Sequence, residues 1–252
     1  MHVLGHSWAK ISRVRRRFFV EQFTGNTAAM EGDAAHHLGR VLRAQQGQLY
    51  ELSDGERVWL ARIEKVARDR VDFALLEEIP ARQPTLDVTL LLSVVKFDAF
   101  EWAIEKATEL GVSAIVPLAA ARSEKALLAA AGKRAERWKK ILAEASQQSR
   151  RVRVPVLREL AQPAPAFSAA AAAVRILLSE RPDARSLREI LQAEPPRKQA
   201  ALAIGPEGGW TEAEFAVAQA SGFREASLGK QILRTETAVV AALASLNYAL
   251  SE

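Results

Sequence analysis

The sequence predicts a two-part α/β protein: a small β-rich region first, then a larger domain with a mostly parallel sheet flanked by helices. Three observations carry this. Asp54-Gly55 stands between two apolar stretches, 48–52 and 58–63, the strongest short-range hairpin signal. Val71, Phe73 and Leu75 alternate with Asp72 and Ala74, as in a half-buried strand. Beyond Pro84, strand-like and helix-like segments alternate, the grammar of parallel strands joined by crossover helices.

The bulk composition fits such a protein. Of 252 residues, 49% are hydrophobic and 26% charged, enough apolar material for a real core. No apolar run approaches the roughly 20 residues of a membrane helix, and Met1–Ser12 lacks the apolar stretch of a secretory signal. Cysteine is absent, which excludes disulfides, thiolate metal sites and thiol catalysis and fits a cytoplasmic location. No metal-ligand spacing stands out. The net charge is +5, concentrated in three clusters: Arg13, Arg15, Arg16 and Arg17; Lys133, Arg134, Arg137, Lys139 and Lys140; Arg150, Arg151 and Arg153. Such runs are often plain solvated faces, but the planar guanidinium suits phosphate and tilts the reading towards nucleic acid.

In the first region a short helix is expected after Asp33, a good N-cap, with Leu38, Val41 and Leu42 as its apolar stripe. His36, Arg40 and Arg43, spaced i, i+4, i+7, would form a basic face beside a small β-barrel. Pro80-Ala81-Arg82-Gln83-Pro84 reads as the linker. Beyond it, the apolar run 88–95 suits a strand covered on both faces. Asp98 with Glu101 has the capping-box spacing, and Gly111 closes that helix. A strand at 112–118 precedes a helix over 133–149 with Trp138, Ile141, Leu142 and Ala145 at core spacing. Further strands are expected at 152–156, 174–178, 200–204 and 225–228. Ser186 with Glu189 and Thr211 with Glu214 repeat the capping-box spacing, and a last helix runs over 235–248.

Ligands of open α/β sheets bind at the carboxyl ends of strands. Two loops at such ends are unusual. Gly205-Pro206-Glu207-Gly208-Gly209 follows the strand ending at Ile204; its three glycines permit positive φ and close backbone approach, and the amides of the next helix face the same place. As a bare pattern it is also an ordinary tight turn, neither a P-loop nor a dinucleotide fingerprint. The second loop, 228–238, joins Arg234 and Glu236 to a helix start. In its simplest form Thr235 caps that helix, Glu236 complements its dipole and Arg234 is a surface ion-pair partner.

Taken together, Ile204-Gly205-Pro206-Glu207-Gly208-Gly209-Trp210, then Leu228-Gly229 and Ile232-Leu233-Arg234-Thr235-Glu236-Thr237-Ala238, closely resemble the RsmE family of 16S ribosomal RNA uridine-N3 methyltransferases of the SPOUT superfamily. Arg16-Arg17-Phe18-Phe19-Val20, the stretch 37–43, Lys96-Phe97-Asp98 with 101–112, and Gln148, Arg151 and Val154-Pro155 extend the likeness over nearly the whole chain. Met1–Ser12 precede the usual start, Gln147 stands where an acid is expected, and Arg150 where a glycine is common.

The resemblance implies a PUA-like β-barrel over 13–80 and a SPOUT domain over 86–252 with a C-terminal trefoil knot, acting as a homodimer on 16S rRNA or the 30S subunit. It implies S-adenosyl-L-methionine as cofactor, held by Leu178, Ser179, Glu180, Ile204, Gly205, Pro206, Glu207, Gly208, Gly209, Leu228, Gly229, Ile232, Leu233, Arg234, Thr237 and Ala238. No metal is needed, because a sulfonium methyl is already activated. Arg234 would stabilise the uracil anion, and Glu236 or Glu207 would accept the N3 proton. Arg16, Arg17, Arg40, Arg43 and Arg151 are the RNA-binding candidates. Two alternatives stay open: a SPOUT enzyme acting on another nucleotide, and a non-enzymatic RNA-binding assembly factor. The block 96–112 speaks against the first, and the glycines with Arg234 and Glu236 against the second.

Overall fold

The structure, a computed structural model, describes residues 16–81, 84–194 and 197–250. Met1–Ser12, Arg13, Arg15, Arg82 and Gln83 lie outside them. The chain divides into two compact units, one made of the described residues before Pro84 together with Ser146–Val154, the other of Pro84–Ala145 and the described residues from Pro155 on.

The first unit is a six-stranded sheet in the order β1-β4-β5-β6-β3-β2. Its strands are β1 (Arg17–Phe19), β2 (Phe23–Thr24), β3 (Thr27–Glu31), β4 (Leu49–Ser53), β5 (Val58–Val66) and β6 (Arg70–Ile79). The Asp54-Gly55 signal holds: β4 and β5 pair antiparallel, with Gly55 at φ +93° and the Asp54 carboxylate accepting the Glu56 and Arg57 amides. Phe18, Leu38, Leu52, Ile63, Val71 and Phe73 form the core.

The helix between β3 and β4 departs from expectation. Helix α1 (Gly32–His36) follows an uncapped Glu31, with Asp33 inside its first turn rather than at the N-cap. It then widens into a π-helical turn, His37–Val41. The extra residue per turn breaks the 3.6-residue register. Leu38 stays buried while Val41 swings out to 61% exposure, and Arg43 lies beyond the turn at φ +51°. His36, Arg40 and Arg43 therefore do not share an α-helical face.

The second unit is a seven-stranded sheet, parallel throughout, in the order β11-β13-β10-β12-β7-β8-β9. Strands β7 (Asp87–Ser93), β8 (Ala114–Leu118), β9 (Val156–Leu157), β10 (Val174–Leu178), β11 (Arg185–Ser186), β12 (Gln199–Ile204) and β13 (Arg224–Ser227) alternate with helices. These are α2 (Phe97–Glu109), α3 (Lys125–Gln148), α4 (Pro163–Ala169), α5 (Leu187–Gln192), α6 (Glu212–Ala220) and α7 (Thr235–Leu250). The apolar runs of β7 and β12 are buried, as a strand covered on both faces requires.

Two capping signals are real and one is not. Ser186 caps α5, and Thr211 with Glu214 closes a full capping box on α6. At α2 the N-cap is Lys96 without a side-chain cap. Glu101 is instead buried, accepting Arg137 Nε at 2.7 Å and pairing with Arg134. Helix α3 starts at Lys125, a full eight residues before 133. The strand expected at 152–156 shrinks to β9, because the preceding residues belong to the first unit. There Ser53 Oγ donates to the Val152 carbonyl at 2.8 Å and Arg153 Nε donates to the Gly55 carbonyl. Arg150 closes α3 in the left-handed conformation, φ +54°, with Arg151 N–H donating to the Ser146 carbonyl at 3.0 Å. That is a Schellman closure, the conformation that makes glycine common at such a position.

Candidate functional site

Strands β13, β10 and β12 are parallel neighbours, so their carboxyl ends open on one edge of the sheet. The loops that leave them, 179–181, 205–209 and 228–234, line one cleft of about 580 Å³. That falls within the usual range for a small-molecule site, roughly 300–1,000 Å³. Topology thus gathers segments that sequence keeps up to about fifty residues apart.

The glycine loop is tightly specified. Gly209 adopts φ +69° and its N–H donates to the Pro206 carbonyl at 2.8 Å. Gly205 and Gly208 are not at positive φ; they are small because neighbours come close. A Cβ on Gly205 would lie 3.1 Å from the Trp210 ring, and one on Gly208 would lie 3.2 Å from Arg122 Cβ. Trp210 is buried, donating from Nε1 to the Leu178 carbonyl at 3.0 Å, which ties the loop to the end of β10. Arg122 Nη1 donates to the Gly208 carbonyl at 2.8 Å.

The opposite wall is looser. Ser227 Oγ donates to the Gly229 carbonyl and accepts its N–H, and Ile232 is 78% exposed. Thr235 does not act as a cap: it is the first residue of α7, and its hydroxyl donates to the Gly205 carbonyl at 3.3 Å, joining the two walls. Arg234 lines the cleft and is exposed, and its guanidinium makes no hydrogen bond or ion pair with the described residues. At the rim, Arg181 stacks 3.7 Å from the Phe215 ring centroid and pairs with Glu212, a hydrogen bond that raises its pKa further.

Of the sixteen residues expected to hold the cofactor, all but Thr237 line this cleft. Thr237 is exposed off it, and Glu236 is also absent from its wall. The helical turn explains both. At about 100° per residue, Thr235 and Ala238 lie within about 60° of each other on α7, and 236 and 237 turn away from both. Glu207 does line the cleft. Sequence reasoning missed Arg122, whose only signal was its place just after β8, at the same carboxyl edge. It also assigned nothing to Trp210, Phe215 or Lys230, and no spacing marked them.

A family of RNA methyltransferase domains matches residues 81–247, and an RNA methyltransferase PUA domain matches 31–76. The chain is 35% identical over 239 residues to the ribosomal RNA small subunit methyltransferase E of Synechocystis, covering 90% of this chain and 75% of that protein. It belongs to the ribosomal RNA small subunit methyltransferase E family. The Bacillus subtilis member is 32% identical, with 88% and 90% covered. The Neisseria gonorrhoeae member, solved bound to S-adenosyl methionine, superposes with a TM-score of 0.83 at 30% identity, covering 92% of this chain and 97% of that one. A Legionella pneumophila methyltransferase in complex with the same cofactor gives 0.84 at 29%, covering 94% and 98%.

The RNA-binding candidates separate. Arg16, Arg40 and Arg43 are exposed. Arg17 is a correction: it is 7% exposed, paired with Glu51 at 2.9 Å, and donates to the Arg150 carbonyl at 2.6 Å. A buried, doubly engaged guanidinium serves the fold rather than a phosphate. Arg151 is half-buried; desolvation lowers its pKa to about 10, which still leaves it charged at neutral pH, and Nε donates to the Arg153 carbonyl at 3.1 Å.

Proposed function

We propose that this chain transfers a methyl group from S-adenosylmethionine to N3 of a uridine in 16S rRNA of the small ribosomal subunit. The observation that carries the reading is the Arg234 guanidinium, which lines the cleft and makes no hydrogen bond or ion pair among the described residues. The donor set fits the cofactor: glycines allow close approach, Ile204, Leu228 and Leu233 offer apolar faces, and backbone amides and carbonyls can read an adenine edge. The sulfonium supplies an activated methyl.

The chain's own residues then have two tasks. N3 lies on the pairing edge, so the base must be unpaired or flipped out before it enters. It also carries a proton, and its loss leaves charge on the uracil carbonyls. Arg234 places donors where that charge develops. Glu207 accepts the proton, directly or through water, since Glu236 faces off the cleft. The same reading includes the trefoil knot, a homodimer, and rRNA contacts from Arg16, Arg40 and Arg43.

Nucleoside mass spectrometry of small-subunit rRNA from a deletion strain, before and after treatment with the purified protein and cofactor, tests this. The expected result is one N3-methyluridine, absent before treatment and restored after it. A 2′-O-methyl or another methylated base restored instead would overturn the assignment.

A further inference from the structure

Glu214 sits on α6 outside the cleft, 9% exposed, and its carboxylate is divided between two structures. Oε2 accepts the Thr211 N–H at 2.7 Å and the Thr211 hydroxyl at 2.8 Å, the local capping box. Oε1 accepts the backbone N–H of Ala121 at 2.8 Å, 93 residues away in the loop after β8. A helix cap needs only the first of these. The next residue along is Arg122, which donates to the Gly208 carbonyl and whose Cβ packs where a Gly208 side chain would stand.

We infer that Glu214 is a positioning residue for the cofactor cleft, acting through Ala121 to hold Arg122 against the glycine loop. A charged acceptor on a backbone amide is a strong, directional tie, and this one fixes the backbone one residue from the side chain that fixes Gly208. The loop after β8 thereby becomes an outer brace of the site. The inference rests on the reading of the cleft as the S-adenosylmethionine site.

The carboxylate's geometry separates brace from cap. In Glu214→Gln the remaining oxygen satisfies the two Thr211 donors, and the amide NH2 then faces the Ala121 N–H, so the brace breaks and the cap persists. Thr211→Ala does the reverse. Calorimetric titration of S-adenosylmethionine into the full-length protein and its variants reads the difference. Glu214→Gln should weaken binding about tenfold, as the loss of a charge-assisted hydrogen bond predicts. Thr211→Ala should lower the melting temperature and leave the affinity unchanged. Arg122→Ala should weaken binding, and adding Glu214→Gln to it should change nothing more. Wild-type affinity in Glu214→Gln, or full additivity with Arg122→Ala, would overturn the inference. Absence of binding by the wild-type protein would instead remove the reading of the cleft, and this inference with it.

Discussion

The glycine loop after β12 and the loop after β13 face the same cleft but are held in different ways. Around 205–209, bonds from Trp210, Arg122, Thr235 and Gly209 itself converge from three other parts of the chain, and two glycines are required by close neighbours. Around 228–234, the ties are Ser227 to Gly229 at one end and the start of α7 at the other, with Gly229, Lys230, Gln231 and Ile232 exposed. One wall is preformed. The other has a large aliphatic side chain, Ile232, in water and a guanidinium, that of Arg234, without a partner among the described residues, both of which a ligand would satisfy. Segments with few internal ties lose conformational entropy when a ligand orders them, so their protection changes most on binding.

The largest expected effect belongs to the loose wall. Arg234→Ala should lower single-turnover methyl transfer at saturating cofactor and RNA by roughly 10²–10³-fold, by analogy with loss of one oxyanion donor. Arg234→Lys should restore only part, keeping charge without the planar fork. A wild-type rate in Arg234→Ala would return this residue to the role of a surface cation. On the preformed wall, Gly208→Val drives a branched side chain against Arg122; overpacking of about 1–3 kcal/mol should weaken cofactor binding roughly 5–160-fold. Unchanged calorimetric affinity there would take the glycine loop out of the site. Ile232→Ser sharpens the contrast further. Because Ile232 is exposed, stability should not change, while cofactor affinity falls about tenfold if ligand binding buries it. Equal affinity would mean that Ile232 stays in water in the complex.

The smallest effect should come from the first unit. Neutralising Arg40 and Arg43 together should flatten the salt dependence of RNA binding by about one unit of slope per lost phosphate contact and leave cofactor affinity alone. An unaltered slope would show that these two exposed arginines are merely solvated.

How legible all this was from sequence depends on how local the cause was. The Asp54-Gly55 hairpin, the apolar β7 and β12, and the Thr211–Glu214 capping box are written in a few adjacent residues, and each is found where expected. The cleft was legible because strand-end loops of unusual composition are few and topology collects them. What escaped depends on partners far along the chain or on an altered period. The π-helical turn at His37–Val41 has no sequence marker, so Val41 and Arg43 were placed on the wrong faces. Glu101 looked like a cap because its arginine partners lie thirty-three and thirty-six residues away. Arg17 looked like a phosphate ligand because its carboxylate is thirty-four residues on. Glu236 and Thr237 were grouped with Arg234 by adjacency, whereas a helix start fans neighbours out at about 100° each. Arg150 is the converse case: its departure from a common glycine became explicable once its left-handed φ was seen.

The central claim is that S-adenosylmethionine binds between a fixed wall and one that it orders. Amide hydrogen exchange, read with and without the cofactor at saturating concentration, tests it most directly. Without cofactor, the Gly209 amide should already be protected and the 229–233 amides should exchange fast. With cofactor, protection should rise most over 229–233, moderately over 205–209, and not at all in β4, β5 and β6. Protection that appears elsewhere in the chain while both loops stay unchanged would contradict the account.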